Sequence, residues 1–394
     1  MTGTKKNSGI ELLIRPAINE LEVSPIREIA HLGMKQPDVI PLWFGEPDLP
    51  TPEFIIKASD KALREGHTFY TPNRGISELI TSLSSYMSSL YGRIINEERI
   101  IVTSAAMNGM MMLSETIINP GDNIVAVTPV WPNFFRCIEI MSGEVRMNPL
   151  SPREDGWNLE LDKLLEICDH RTRAIYVNSP NNPTGWVMSH AEMEALLEFC
   201  RRNHIWIISD EVYARVIYDK HYAPSFLEIA EPDDLVMIVN SFSKSWAMTG
   251  WRLGWITGPP ALIPILEKLT EYNVASPPTA SQHAGVTAVR EGERFMKDMV
   301  QKYKVARDTI QQRLGSMSRV TMPRPDAAFY AFFRIEGVAD SRAFAKKLLE
   351  ETKVGLAPGI AFGEGGEEYF RICYAKSPDV LSLALDRLEP ILNQ

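Results

Sequence analysis

The sequence predicts an α/β fold on a mostly parallel sheet flanked by helices, joined to a smaller α+β unit. Between about residues 100 and 260, short and nearly continuous apolar runs alternate with helix-period segments. That pattern marks strands buried on both faces and connected by helices. After about residue 295 it gives way to a long polar helix and then short strands, which reads as a second unit.

Taken in order, a Pro-rich stretch (Pro41, Pro47, Pro50, Pro52) leads into a helix at Glu53–Glu65. Ile100-Ile101-Val102 is the first buried strand. A helix starts after Ala105, runs through Met110 and Leu113, and stops at Asn119-Pro120-Gly121. Further strands are Ile124–Val127, Ala174–Val177, Ile205–Ile208, Leu235–Val239 and Leu253–Ile256. Ser189 with Glu192 forms a capping-box pair ahead of the stripe Met193, Leu196, Leu197 and Cys200. Then come a polar helix over Phe295–Leu314, short strands near Ala328–Ile335, a helix near Ser341–Glu351 and a strand around Tyr369–Tyr374. The expected division is a large domain over 53–295 and a small domain made of 1–52 and 296–394.

Composition narrows the function classes. Across 394 residues, 45% are hydrophobic and 23% charged, so the bulk of the chain is globular. A net charge of −9 argues against a nucleic-acid or membrane-surface binder. No apolar run is long enough to span a bilayer, and Met1–Gly9 has no signal-peptide core. The four cysteines lie far apart, which suits reduced thiols and a cytoplasmic location. The seven histidines show no metal-ligand spacing, so no catalytic metal is expected.

In open parallel sheets ligands bind beyond the carboxyl ends of the strands. The unusual polar residues fall at those ends: Asn178–Gly185, Ser209-Asp210-Glu211, Ser241-Phe242-Ser243-Lys244, and Trp131 just past Val127. Taken singly, the Asn/Pro/Gly segment also reads as a rigid turn, Asp210 as a helix cap, Lys244 as a solvated cation and Trp131 as core. Together they describe one crevice. A lysine whose ammonium is destabilised by burial can form an imine with an aldehyde cofactor. Pyridoxal phosphate is the cofactor that such a lysine usually holds, with an acidic partner for its ring nitrogen. Asp210 suits that partner, Tyr213 (placed on a following helix) and Asn182 could donate to the ring oxygen, and Trp131 could stack on the ring. Ser241, Ser243, Arg252 and a helix N-terminus at Thr103–Met107 offer donors to a phosphate. Arg371, on a short strand, is costly to bury unless an anion such as a substrate carboxylate meets it, and otherwise reads as an exposed strand arginine.

At this point the sequence resembles the class I aminotransferases among the fold-type I pyridoxal-phosphate enzymes, near the prokaryotic aspartate and aromatic branch. The resemblance runs from about Ser24 to the C-terminus. It rests on Gly45-Glu46-Pro47-Asp48, Tyr70-x-Pro-x-x-Gly75, Asn178-Ser179-Pro180-Asn181-Asn182-Pro183-Thr184-Gly185, Asp210-Glu211-Val212-Tyr213, Ser241-Phe242-Ser243-Lys244 and Gly250-Trp251-Arg252-Leu253-Gly254. It implies that Lys244 is the cofactor-linked lysine and Asp210 the ring-nitrogen partner. Tyr213 and Asn182 fall on the ring oxygen, and Trp131 stacks. Ser241, Ser243, Arg252 and the amides of Ala105, Ala106 and Met107 form the phosphate cup. Gly45 and Arg371 clamp the substrate's α-carboxylate, and Asn182 and Trp131 also border the substrate. Tyr70 reaches a neighbouring subunit's phosphate, which implies a homodimer with shared sites.

The implied activity is ping-pong transamination between an L-amino acid and a 2-oxo acid. Two other readings are a carbon–sulfur β-lyase on the same scaffold and a non-catalytic ligand-sensing regulatory module. Such lyases commonly carry Asp-Glu-Ile-His where this chain has Asp210-Glu211-Val212-Tyr213, and the residues ahead of residue 53 show no basic helix-turn-helix pattern of the kind a regulatory module would carry. The phosphate turn Ala105-Ala106-Met107 departs from the Gly-Gly-Lys often found in aspartate-using relatives, so Met107 supplies no cation for a side-chain carboxylate. Arg74 and Arg136 are candidate substitutes, and Ile26, Phe329 and Phe362 are candidate pocket walls.

Overall fold

The computed structural model describes residues 13–393. Seven strands form the main sheet: β1 (Ile100–Thr103), β2 (Asn123–Thr128), β3 (Glu144–Pro149), β4 (Thr172–Asn178), β5 (Trp206–Asp210), β6 (Val236–Ser241) and β7 (Gly254–Thr257). Their spatial order is β1-β7-β6-β5-β4-β2-β3. Every neighbouring pair is parallel except the two that involve β7, which runs antiparallel to both β1 and β6. This is the mostly parallel sheet expected from the uninterrupted apolar runs. All of Ile100, Ile101, Val102, Ile175, Ile207, Ile208, Ile238 and Val239 are fully buried. Each such side chain contributes about 1.5–3 kcal/mol by leaving water. Edge strand β3 was not visible in the sequence, because it is exposed or half-buried along most of its length and interrupted by Arg146.

The reversal of β7 matters for the site. Its first residue, Gly254, pairs with Ser241 at the end of β6 and with Thr103 at the end of β1. The chain just before β7 therefore lies on the same edge as the carboxyl ends of the other strands. Along that edge Asn178 faces Asp210, and Asp210 faces Val239. Gly254 is required there. A Cβ would lie 2.7 Å from the Asn240 carbonyl oxygen and 2.9 Å from the Ala106 nitrogen.

A second sheet holds β8 (Val320–Thr321), β9 (Tyr330–Ile335), β10 (Ala357–Pro358) and β11 (Tyr369–Cys373), all antiparallel, in the order β8-β9-β11-β10. Ile40–Pro41 pairs in parallel with Val354–Gly355 and ties the N-terminal segment to this part of the chain. The helices over Glu53–Arg64, Ala105–Ile117, Glu293–Gly315 and Ser341–Thr352 fall where the sequence places them. The helix His190–Asn203 carries the expected capping box. The Glu192 amide donates to Ser189 Oγ at 3.3 Å, and the Ser189 amide donates to Glu192 Oε2 at 2.7 Å. Among the described residues, no helix is long and apolar enough to cross a membrane.

Candidate active site

A cavity of about 280 Å³ opens at the carboxyl edge of the main sheet, beside the second sheet. Its wall includes Gly45, Ala105, Ala106, Met107, Trp131, Asn182, Asp210, Tyr213, Ser241, Ser243, Lys244, Arg252 and Arg371. Thirteen of the fourteen residues to which the resemblance gives a cofactor or α-carboxylate role therefore converge on one space. Tyr70 is the exception: it is 89% exposed and does not line this chain's cavity.

Lys244 sits on a single helical turn, Phe242–Ser245, that begins directly where β6 ends. Ser241 Oγ accepts the Ser243 amide at 3.1 Å and starts that turn. Lys244 Nζ donates to the Gly45 carbonyl at 2.6 Å. Burial pushes its ammonium down to about 8, so a neutral amine is within reach near physiological pH. Asp210 ends β5 and is buried. It accepts the Val212 amide at 3.2 Å and the Tyr176 hydroxyl at 3.1 Å. Burial raises its carboxyl to about 6 against the lowering effect of those two donors. An ionised carboxylate in such a place calls for a cationic partner.

Tyr213 lies on a turn rather than on a helix, since residues 212–215 form consecutive turns after Asp210. The sequence reading of a helical face is thus corrected, yet the hydroxyl still reaches the cavity. Asn182 Nδ2 donates to it at 3.5 Å, and the Tyr330 hydroxyl lies 2.7 Å away.

Two of the arginines in the wall, Arg252 and Arg371, have no carboxylate partner among the described residues, and a third, Arg27, lies over the Phe44 ring at 5.7 Å from its centroid. Arg252 adopts a left-handed backbone (φ +51°) and donates to the Thr249 carbonyl at 2.7 Å. Arg371 is buried and donates to Asn182 Oδ1 at 2.8 Å and to the Trp43 carbonyl, while its Nε has no partner. Among the described residues, neither has a carboxylate within 4.0 Å. Burying an unpaired guanidinium is costly unless an anion arrives, so Arg371 is not the exposed strand residue that the bland reading allowed. Near Arg252, Ala105 opens a 13-residue helix with φ +75°, and Ser241 Oγ and Ser243 Oγ lie 3.0 Å apart. Free amides at a helix start, two hydroxyls and an unpaired guanidinium make a suitable phosphate cradle. The donor set therefore fits pyridoxal phosphate: an amine for the aldehyde, a buried carboxylate for the ring nitrogen and cationic ends for phosphate and substrate.

The other expectations are sorted by the same geometry. Arg74 is satisfied by the carbonyls of Ile100 and Glu97. Arg136 is paired with Glu139 and Glu22. Neither lines the cavity. Ile26 does, whereas Phe329 packs behind Tyr213 and Tyr330, and Phe362 packs against the Arg371 guanidinium. Tyr330, Phe44 and Arg27 belong to the wall and Tyr176 to the Asp210 shell, and none was singled out from the sequence. The apolar run around Tyr330 reads as core and hides its hydroxyl.

Comparison with known proteins agrees. The family model described as aminotransferase class I and II matches residues 37–388. A probable aspartate aminotransferase of Methanocaldococcus jannaschii is 35% identical, covering 97% of this chain and 100% of its own length. An aromatic-amino-acid aminotransferase of Thermococcus litoralis is 32% identical, covering 94% of this chain and 96% of its own. The solved aspartate aminotransferase of Thermotoga maritima superposes with a TM-score of 0.90 at 32% identity, over 97% of this chain and 100% of that one. Sequence, architecture and cavity thus lead to one assignment: this chain belongs to the class I and II aminotransferase family and is a transaminase.

Proposed function

We propose that the chain moves an amino group between an L-amino acid and a 2-oxo acid by a ping-pong route, with pyridoxal phosphate held at Lys244. The observation that carries this is the placement of Lys244 Nζ in one cavity with the buried Asp210 carboxylate and the guanidiniums of Arg252 and Arg371, which have no carboxylate partner among the described residues. When bound, the cofactor supplies an electron sink that makes the substrate's α-hydrogen acidic. The chain's own residues do the rest. Lys244 Nζ would hold the cofactor's aldehyde and, as a free amine, would be the base placed to take up and return the substrate's α-proton. Its lowered ammonium pKa suits that shuttle. Asp210 would keep the ring nitrogen protonated, Tyr213 and Asn182 would donate to the ring oxygen, and Trp131 would stack on the ring. Arg252, Ser241, Ser243 and the amides of Ala105, Ala106 and Met107 hold the phosphate. Arg371, with the Gly45 backbone, binds the α-carboxylate and orients the α-hydrogen.

A homodimer with shared sites belongs to the same reading. Tyr70 stands out from this chain's surface and is available to a second copy's phosphate. Residues 53–295 would form the cofactor domain and 1–52 with 296–394 the small domain, a division supported by the Ile40–Pro41 ladder onto Val354–Gly355. Four unpaired cysteines support action in the cytoplasm. Relatives named for aspartate and for aromatic amino acids make these two donor classes the first to try. An amino-donor panel against 2-oxoglutarate and pyruvate, read by absorbance changes of the half-reactions, tests the proposal. Amino transfer is expected with at least one donor. Pyruvate release from cysteine-type substrates without any acceptor would instead indicate elimination.

A further inference from the structure

Tyr330 lies on β9 in the second sheet, fully buried, and borders the cavity. Its hydroxyl is wedged between two groups. On one side is Tyr213 Oη, 2.7 Å away. On the other is Gly45, where a Cβ would overlap the Tyr330 hydroxyl. Tyr213 Oη also takes a donor from Asn182 Nδ2 at 3.5 Å. Among the described residues, Tyr330 Oη has no other hydrogen-bond partner. Either hydroxyl can donate across this 2.7 Å contact; were Tyr213 the donor, its proton would be spent on Tyr330 and would not reach the cavity. With Tyr330 as the donor, the Tyr213 oxygen accepts twice and its own proton is turned to the cavity. Chains of hydroxyls polarise one another, so this also strengthens Tyr213 as a donor. The ring face makes a contact of its own, with the Arg371 Cζ 4.6 Å from the Tyr330 ring centroid. The titratable groups facing Tyr330 are Tyr213, Arg371 and Cys373.

Building on the proposed function, we propose that Tyr330 is a positioning residue with two separable roles. Its hydroxyl aims the Tyr213 proton at the ring oxygen of bound pyridoxal phosphate, and its ring face holds the Arg371 guanidinium ready for the substrate carboxylate.

Two variants of the holoenzyme separate the roles. Tyr330→Phe removes the hydroxyl and keeps the ring. A weaker Tyr213 donor leaves more negative charge on the ring oxygen and raises the proton affinity of the neighbouring nitrogen. The visible absorbance titration of the bound cofactor should therefore move to higher pH by about half a unit or more, with KM changed less than about threefold. Tyr330→Leu, or Tyr330→Met should Leu prevent folding, also removes the ring face and should raise KM by about tenfold or more. A Tyr330→Phe titration within about 0.2 pH unit of the parent overturns the hydroxyl role. A Leu or Met variant with KM within about twofold overturns the ring role. A parent protein that takes up no coloured cofactor would instead overturn the function on which this inference rests.

Discussion

Asp210→Asn should make the cofactor-free protein more stable while crippling the enzyme. The carboxyl is raised from 3.8 to about 6 because burial strips water from its charged form. A raised carboxyl contributes stability below its ordinary pKa and loses it as pH climbs through the folded value. By pH 8 the ionised form costs the empty fold about 3 kcal/mol, since each pH unit between the ordinary and the raised value is worth about 1.4 kcal/mol. Asparagine has the same shape. It can still accept the Val212 amide and face the Tyr176 hydroxyl, and it carries no charge at any pH. Melting of the cofactor-free proteins should then show the variant higher by roughly 5 °C at pH 8, with the gap closing toward pH 4. Turnover should fall by at least about a hundredfold, since a neutral amide cannot keep the ring nitrogen protonated. Thermal melts at three pH values and single-turnover absorbance measurements check both halves. A variant that melts lower at pH 8, or a gap that does not change with pH, would refute the argument.

Other expectations follow from the same geometry. Arg371→Leu removes a buried guanidinium that awaits an anion. It should lower kcat/KM by roughly 30- to several-thousand-fold, equivalent to about 2–5 kcal/mol, and a steady-state loss below about threefold would remove Arg371 from the site. Gly254→Ala pushes a methyl against the Asn240 carbonyl and the Ala106 amide. The cofactor's dissociation constant, measured by fluorescence quenching, should rise by about tenfold or more, and an unchanged value would place the phosphate elsewhere. Mixing a Tyr70→Ala protein with a Lys244→Ala protein should restore activity above the sum of the two, up to about a quarter of the parent, if hybrid dimers carry one complete site. Strict additivity would mean that Tyr70 serves no neighbouring site.

The strand ends were legible because β1, β2, β4, β5 and β6 are buried on both faces. Their sequences are continuous apolar runs that stop abruptly at polar residues. The direction of β7 was not, since an antiparallel strand buried in the same sheet has the same composition as its parallel neighbours. That direction is what carries Arg252 to the site. Tyr330 stayed hidden for a related reason: in Tyr330–Ile335 five of six residues are buried, so the pattern shows no face that differs from core. Arg74 and Arg136 carry the right charge near the right motifs, but pairing with distant chain segments takes them out of the cavity. The closing helix Pro378–Leu392 went unread although its signals are present. Ser377 caps it, Pro378 is its first residue, and Leu381, Leu385, Leu388 and Leu392 line its buried side.

Reduction with borohydride probes the attachment most directly. The protein is purified with pyridoxal phosphate, treated with borohydride, digested and mapped by peptide mass spectrometry. One phosphopyridoxyl group on the Nζ of Lys244 is the expected result. A protein that remains colourless after reconstitution, or a label fixed on any other lysine, would contradict the assignment of this cavity.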